Sequence, residues 1–300
     1  MDKTLNPPIP SHHNITAPVG GRSYLKESFT TFFENPIASK ACFFLVFIIL
    51  ASIIIPFFSP YSFFETHLAN KNSSPTLTHW FGTDELGRDI FTRLWWGGRV
   101  SLLIGFAAGI LDVSIGVVYG CIAGFFGNKL DELLMRIVDI LSSLPSLLIV
   151  ILLVVIIEPG LFTIILSLAF TGWVTMARIV RTSVLQLKEL DFVKMAVMIG
   201  ASKKRIIFKH LVPNMLGSII TTATLSVPSA IFGEAFLSFL GLGVQAPLAS
   251  WGSMASDGLT ALVFYPWRIF FPALFISLTM LAFNLIGDGI RDAFDPKVKS

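Results

Sequence analysis

Residues 191–214 read DFVKMAVMIGASKKRIIFKHLVPN, a basic, glycine-centred stretch that lies between long apolar runs. Asp191 has the residue type of a helix N-cap for residues 192–199, and Gly200 has that of a helix terminator. Ser202 is then a second N-cap. The segment therefore predicts two short helices joined at a glycine, which we call the elbow (residues 191–214).

The second half of the elbow is amphipathic. Ile206, Ile207 and Leu211 are apolar, and Pro213 is expected to stop the run. The neighbouring charges are all basic: Lys203, Lys204, Arg205 and Lys209. We expect one face to be buried and the other to be solvated.

Two interpretations of the elbow remain open. A basic amphipathic helix can rest on anionic lipid at the membrane surface. Alternatively, Phe192, Val193, Ala196 and Gly200 form an exposed apolar knob that enters a groove on a cytosolic partner, as in helix-in-groove recognition. The glycine favours docking, because a lipid anchor does not need it.

The composition is that of a membrane protein. Hydrophobic residues make up 54% of the chain and charged residues only 14%, with a mean hydropathy of +0.75, whereas soluble domains have roughly 25% charged residues. The formal net charge of +3 is small, so nucleic acid is not an expected partner. Cys42 and Cys121 lie in apolar runs without metal-type neighbours, and they predict neither a disulfide framework nor a metal site.

Six apolar stretches are long enough to cross a bilayer. They are 41–58, 100–126, 137–157, 162–180, 215–238 and 269–290. The third and fourth are separated only by Glu158-Pro159-Gly160, which predicts a tight antiparallel hairpin. We therefore predict an all-α polytopic membrane protein with six transmembrane helices.

The positive charges predict the orientation. If the N-terminus is cytoplasmic, 17 of the 22 Lys and Arg residues fall on the cytoplasmic side. The predicted organisation is then a cytoplasmic tail without a cleaved signal peptide, a first span, an extracytoplasmic loop, a five-helix core and a second cytoplasmic tail. Their bounds are 1–40, 41–58, 59–99, 100–290 with a coupling loop at 182–214, and 291–300.

The elbow resembles the cytoplasmic loop of the inner-membrane permeases of binding-protein-dependent ABC importers, in the dipeptide, oligopeptide and nickel branch. The matching residues are Asp191, Phe192, Val193, Ala196, Gly200, Ala201, Ser202, His210, Leu211, Val212, Pro213 and Asn214. The sequence departs from the pattern at Met195, Val197 and Met198, where small or basic residues are usual. The resemblance extends from Gly82 to about Pro296.

A second match is the segment Gly82-Thr83-Asp84-Glu85-Leu86-Gly87-Arg88-Asp89. It looks like a signature of the smaller-loop subunit of the permease pair, the permease C type. Taken by itself it predicts a turn held by Asp–Arg hydrogen bonds. We expect a structural or partner-facing role.

The third apolar stretch contains Arg136, Asp139 and Leu144-Pro145. In the family that it resembles, a proline-interrupted span opens the translocation path, which makes Asp139 and Pro145 candidates for gating. The simpler alternative is that Asp139 pairs with Arg136 one turn away and that Pro145 only kinks the helix. Both interpretations stay open.

A third match runs from Glu234 to Gly243 and continues at Ser250-Trp251-Gly252. A carboxylate at mid-bilayer costs about 3 kcal/mol, so we expect Glu234 to face a cavity, a partner chain or water. Glu234 and Ser238 are candidates for the translocation path. The alternatives are a carboxylate that caps the next segment or an acceptor for a hydrogen bond between chains.

Other polar residues predict no site. Asp112 and Asp288 are isolated and do not form a proton relay. We expect solvated side chains for the histidines of tails and loops, which are His12, His13, His67 and His79.

The sequence contains no Walker-type loop or nucleophile elbow, so this chain is not expected to hydrolyse ATP or to hold a cofactor. The resemblance implies the transmembrane domain of a type I ABC importer in the cell inner membrane. It implies two cytosolic ATP-binding subunits that hold ATP and Mg²⁺, a second homologous permease, an extracytoplasmic solute-binding protein and surrounding lipid. The alternatives are a nickel or other small-solute permease and an ion-driven secondary transporter. The only features that favour a secondary transporter are the expected helix breaks at Pro145 and Pro228.

Overall fold

The computed structural model describes residues 22–294, and that part is helical apart from its connections. The helices are α1 (Arg22–Glu34), α2 (Pro36–Phe58), α3 (Ile90–Phe126), α4 (Asn128–Ser143), α5 (Ser146–Ile157), α6 (Leu161–Lys188), α7 (Asp191–Met198), α8 (Lys203–Arg205), α9 (Val212–Asn214), α10 (Leu216–Phe239), α11 (Trp251–Leu259) and α12 (Trp267–Phe294). A short 3₁₀ helix covers Leu68–Asn70, and a π-helix covers Ile206–Leu211. His12, His13, Pro296 and the outer parts of both predicted tails lie outside the described residues.

Within residues 22–294, five helices are long and apolar enough to cross a membrane on their own: α2, α3, α6, α10 and α12. The predicted third span is a pair, α4 and α5, bent by 86°. Leu144 lies at the bend with an extended backbone, as expected for a residue that precedes a proline. The kink predicted at Pro145 is therefore confirmed, and it breaks the helix.

Pro228 behaves differently from Pro145. It lies inside α10, which runs without interruption from Leu216 to Phe239, so the predicted break at this position is wrong. Neighbouring helices and Ser or Thr hydroxyl groups can satisfy the backbone group that a proline leaves unpaired inside a membrane helix.

Several predicted boundaries move. α3 begins at Ile90, ten residues before the predicted span, because Asp89 accepts a hydrogen bond from the Thr92 amide and caps the helix. α6 extends to Lys188, so the first part of the predicted coupling loop is helical. The described part of the predicted N-terminal tail is also helical, and Asn35 caps α2.

Close packing of α3 against α6 forms the centre of the fold. Gly116, Gly120 and Gly124 follow one another at four-residue spacing along one face of α3. A Cβ atom at Gly120 would lie 2.5 Å from the carbonyl oxygen of Ala177. The small residues therefore let the two backbones approach closely, as is common in membrane helices.

α3 has 37 residues and is about 55 Å long at 1.5 Å per residue. Its first turns pack with α2, α10, α11 and α12 around the fully buried Trp251, whose Nε1 donates to the Leu94 carbonyl at 2.8 Å. Its last turns pack against the elbow. We call these two ends of the molecule the loop end, formed around residues 59–89, and the elbow end.

The predicted hairpin between the third and fourth stretches is confirmed. α5 ends at Ile157, α6 begins at Leu161, and the two helices pack against each other. The residue with a positive φ in the turn is Glu158, at +81°.

Candidate functional site

The elbow consists of α7, a glycine turn and the segment from α8 to α9. Gly200 has a φ of +86°, and a Cβ atom built on it would meet nothing within 4 Å. The backbone conformation, and not a lack of space, therefore requires glycine here. Ser202 accepts a hydrogen bond from the Arg205 amide at 3.3 Å, which confirms the predicted second N-cap.

Two details of the elbow differ from the prediction. The N-cap of α7 is Leu190, and Asp191 occupies the first turn, where its negative charge suits the positive end of the helix dipole. Pro213 does not stop the run. It lies in the first turn of α9, where a missing N–H is tolerated, and the backbone departs from helix only at Met215 before α10 begins.

One face of the elbow is buried, as predicted. Ile206 and Leu211 pack with Met215 against the ends of α3 and α6. Val193 belongs to the same cluster and is only 2% exposed, so its predicted place in an exposed knob is wrong. Phe192 is half-buried against this cluster, and it does not project from the surface either.

The exposed tip of the elbow is formed by other residues. Met198 and Ile199 are 84% and 85% exposed, and Met195 and Val197 are more than half exposed. Gly200 is exposed as predicted, whereas Ala196 is half-buried. The apolar tip exists, and three of its residues stand where the sequence departs from the family pattern: Met195, Val197 and Met198.

Two lysines join the elbow end to the last turn of α3. Lys188 Nζ donates to the carbonyl oxygens of Gly124 at 3.2 Å and Phe125 at 2.9 Å. Lys203 Nζ lies 5.0 Å from the centre of the Phe126 ring. Carbonyls at a helix C-terminus lack intrahelical partners and attract cations. Sequence reasoning treated both lysines only as charges. Their partners in α3 lie more than 60 residues away in the chain, and no local pattern points to them.

The remaining residues of the elbow that match the family pattern make local contacts. His210 is half-buried and offers its backbone carbonyl to the Asn214 side-chain amide at 2.6 Å. Ala201 packs against the buried elbow cluster. These contacts hold the second half of the elbow together without exposing a reactive group.

Two ion pairs connect α4, the first half of the broken span, to α6. Asp139 pairs with Arg178 at 2.9 Å, so the alternative in which it pairs with Arg136 is wrong. The broken helix places Asp139 beside α6, where an arginine from another helix is closer than one on its own. Asp131 receives two hydrogen bonds from Arg181, both at 2.6 Å.

The 82–89 segment forms the predicted turn at the loop end. Asp84 accepts hydrogen bonds from the Leu86 and Arg88 amides, and it pairs with Arg88 Nε at 2.7 Å and Arg93 Nε at 3.5 Å. Gly82 and Gly87 have φ values of +75° and +73°. The expected Asp–Arg turn is therefore confirmed.

Other polar contacts extend this network. Asp89 holds the start of α3 with one carboxylate oxygen and contacts His79 Nδ1 at 2.9 Å with the other. His79 is buried, so the prediction of a solvated side chain is wrong for this histidine. Thr83 donates to the Asn70 carbonyl and accepts from the Ser73 amide. Loop histidines have no periodic pattern that could reveal such burial.

Glu234 is 0% exposed. Its Oε1 accepts hydrogen bonds from Ser238 Oγ at 2.7 Å and Ser250 Oγ at 2.6 Å. Ser250 is also the N-cap of α11. The expectation that Glu234 faces a cavity, water or a partner is wrong within this chain, because α11 packs directly over the carboxylate and uses it as an acceptor.

Comparison with known proteins identifies the family. Residues 116–300 match the family described as binding-protein-dependent transport system inner membrane component, and residues 23–75 match the N-terminal TM domain of oligopeptide transport permease C. The chain belongs to this permease family. The first match includes the whole elbow.

Curated relatives match over nearly the whole chain. The oligopeptide transport system permease protein OppC of Bacillus subtilis is 56% identical over 92% of this chain and 91% of its own length. The dipeptide transport system permease protein DppC of the same organism is 53% identical over 92% and 87%. OppC of Escherichia coli K12 is 42% identical over 93% of both chains.

Among solved structures, an inward-facing conformation of the MetNI methionine ABC transporter matches with a TM-score of 0.56 and 20% identity. It covers 69% of this chain and 98% of the other. This likeness concerns the fold, which is that of a type I ABC importer permease.

Proposed function

We propose that this chain is the transmembrane permease subunit of an ATP-driven importer of peptides. The elbow is the proposed docking site through which a cytosolic ATP-binding subunit moves the membrane helices. The observation that carries the proposal is the contrast within the elbow. Its tip at Met198 and Ile199 is apolar and exposed, while its base at Val193 and Leu211 is buried against α3 and α6. A protruding apolar tip on a packed base suits helix-in-groove docking.

The proposed assembly contains this chain, a second homologous permease, two cytosolic ATP-binding subunits and an extracytoplasmic solute-binding protein. ATP and Mg²⁺ belong to the ATP-binding subunits, and this chain contributes no catalytic group. We place it in the cell inner membrane with both termini and the elbow on the cytoplasmic side, because the basic residues concentrate there.

The elbow can pass a displacement to the membrane helices by direct contact. Its buried side chains touch α6 and the last turns of α3, and Lys188 holds the end of α3. The glycine contacts between α3 and α6 leave little freedom for the two helices to slide past each other. Closure of the ATP-binding subunits would then move α3 and α6 together and switch the path between two states.

Peptides are the proposed cargo because the relatives with 56% and 53% identity are named for oligopeptide and dipeptide transport. Nickel is the alternative from the same branch. Competition of labelled dipeptide uptake by unlabelled dipeptide, and not by nickel, is the result that we expect in cells that depend on this permease.

The docking proposal is tested with the assembled complex. Ile199→Asp places a charge on the exposed tip, and we expect the ATP-binding subunits to be lost on copurification while the second permease is retained. Val263→Asp is the matched control, because Val263 is 87% exposed at the loop end. Retention of the ATP-binding subunits by Ile199→Asp, or their equal loss from the control, contradicts the proposal.

A further inference from the structure

A cavity of about 310 Å³ lies at the loop end, between the 82–89 turn and the connection from α10 to α11. Its size is at the lower end of the range of small-molecule sites, about 300–1,000 Å³. The polar side chains that line it include both signs of charge: Arg88, Arg93, Ser238, Ser253, Ser256 and Asp257. It lies far from the elbow, at the other end of α3.

The charged groups of the cavity do not pair across it. Arg88 uses Nε to contact Asp84, and its two terminal nitrogens have no hydrogen-bond partner among residues 22–294. Arg93 is only 4% exposed and donates Nη1 to the Phe63 carbonyl at 2.9 Å, which leaves Nη2 without a partner in the same part of the chain. The free nitrogens of the two guanidinium groups can therefore donate to a ligand in the cavity.

Asp257 provides the opposite charge. Its carboxylate makes no hydrogen bond or ion pair within the described residues, although its backbone carbonyl accepts from Arg268 Nη2 at 3.0 Å. Partial burial raises the pKa of the Asp257 carboxyl group, and the charges of Arg93 and Arg88 oppose this shift. The carboxylate thus lines the same cavity as the two arginines without a direct contact.

Charge balance narrows the class of ligand. Asp84 lies behind the arginines and contacts both, so the charges of Asp84, Arg88, Arg93 and Asp257 sum to zero. A ligand with a net negative charge would be repelled by Asp257, and a ligand with a net positive charge would be repelled by the two arginines. A zwitterion matches both, since a guanidinium fork holds a carboxylate well and a carboxylate accepts from an ammonium group.

The hydroxyl group of Ser238 limits which end of a ligand can bind beside it. It donates its single hydrogen to Glu234 Oε1 at 2.7 Å, so towards the cavity it can act only as an acceptor. An ammonium group needs such acceptors. The buried Glu234 therefore acts as a positioning residue that fixes how Ser238 faces the cavity.

We propose that this cavity binds a small zwitterion, a free amino acid or a dipeptide, with its carboxylate at Arg88 and Arg93 and its ammonium group at Asp257 and Ser238. The choice of a dipeptide rests on the proposed transport of peptides, whereas the zwitterion site itself rests on the geometry. The permease thus has a recognition site of its own for both charged ends of the solute.

The test uses the purified full complex in lipid nanodiscs and equilibrium binding of labelled alanyl-alanine. The comparison ligands are the same dipeptide acetylated at its amino end, amidated at its carboxyl end, or blocked at both. We expect saturable binding of the zwitterion and binding weakened by about tenfold or more for each blocked form. Equal binding of the doubly blocked peptide, or no saturable binding because the cavity holds only water, overturns the proposal.

Two variants test which residue binds the ammonium group of the ligand and which binds its carboxylate. Asp257→Asn should weaken zwitterion binding about tenfold but leave the acetylated peptide unchanged, because that ligand has no ammonium group. Arg88→Lys keeps the charge but loses the fork, and it should weaken every ligand that has a free carboxylate. Glu132→Gln, an exposed carboxylate on α4, is the control and should change nothing. Unchanged binding by both Asp257→Asn and Arg88→Lys contradicts the site.

The two proposals fail in different ways. Normal dipeptide uptake without zwitterion binding to the permease would overturn this inference and leave the transport proposal standing. Zwitterion binding that follows the variants, in a complex that takes up no peptide, would overturn the transport proposal and leave the site in place.

Discussion

The two ends of α3 are built by opposite means. At the loop end, buried charges hold the chain together: Asp84 contacts Arg88 and Arg93, and Asp89 contacts His79. At the elbow end, apolar side chains such as Leu211 form the base, and the tip at Met198 and Ile199 is left apolar and exposed. Charge networks fix one geometry, whereas an apolar tip on a packed base is suited to contact with another protein.

The largest effect is expected at the loop end. Asp84→Asn removes the charge that two arginines share, and leaving a buried guanidinium group unpaired should lower the free energy of unfolding by about 3–5 kcal/mol. Thermal unfolding of the complex in nanodiscs measures this change. Glu65→Gln is the control, because Glu65 is an exposed carboxylate in the loop before this turn. Similar stability of the two variants would remove the contrast between the ends.

The elbow base should respond to a loss of volume. Leu211→Ala removes a fully buried side chain and should lower the free energy of unfolding by about 2–5 kcal/mol. Ile199→Ala, at the exposed tip, is expected to leave stability unchanged within about 0.5 kcal/mol. The same unfolding measurement compares them. If the tip variant is as unstable as the base variant, the tip is not free in the assembled protein.

The smallest change in stability concerns the lysine at the end of α3. Lys188→Met keeps most of the aliphatic stem but loses two hydrogen bonds to carbonyl oxygens, which should cost about 1 kcal/mol. Transport per ATP hydrolysed should fall more clearly than stability, because the elbow would be less firmly connected to α3. Lys194→Met, which breaks an exposed pair with Glu189, is the control, and an equal fall in both variants would argue against a role in coupling.

Much of this architecture could be predicted from the residues. Gly200 and Ser202 marked the turn of the elbow, Pro145 marked the break, and the segment around Asp84 marked a polar turn. Each depends on local backbone chemistry, because a positive φ, a missing N–H or a capping oxygen acts within a few residues. Such signals do not depend on how the rest of the chain packs.

The errors concerned which face of a helix is covered. Val193 was predicted at the exposed tip and is buried. Glu234 was predicted to face a cavity, a partner chain or water, but it lies under α11. In a short helix of eight residues the apolar residues surround the axis, so periodicity does not select the inner face. The direction in which neighbouring helices pack decides it.

By itself, the sequence determined that this protein lies in a membrane, that it is helical, and where its elbow, break and polar turn occur, because hydropathy and backbone preferences are properties of short segments. Only the tertiary structure decided that Asp139 pairs with Arg178, that Lys188 holds the end of α3, and that Arg88 and Asp257 line one cavity. Each of these contacts joins residues far apart in the chain. Their distance depends on how whole helices pack, and no local preference encodes it.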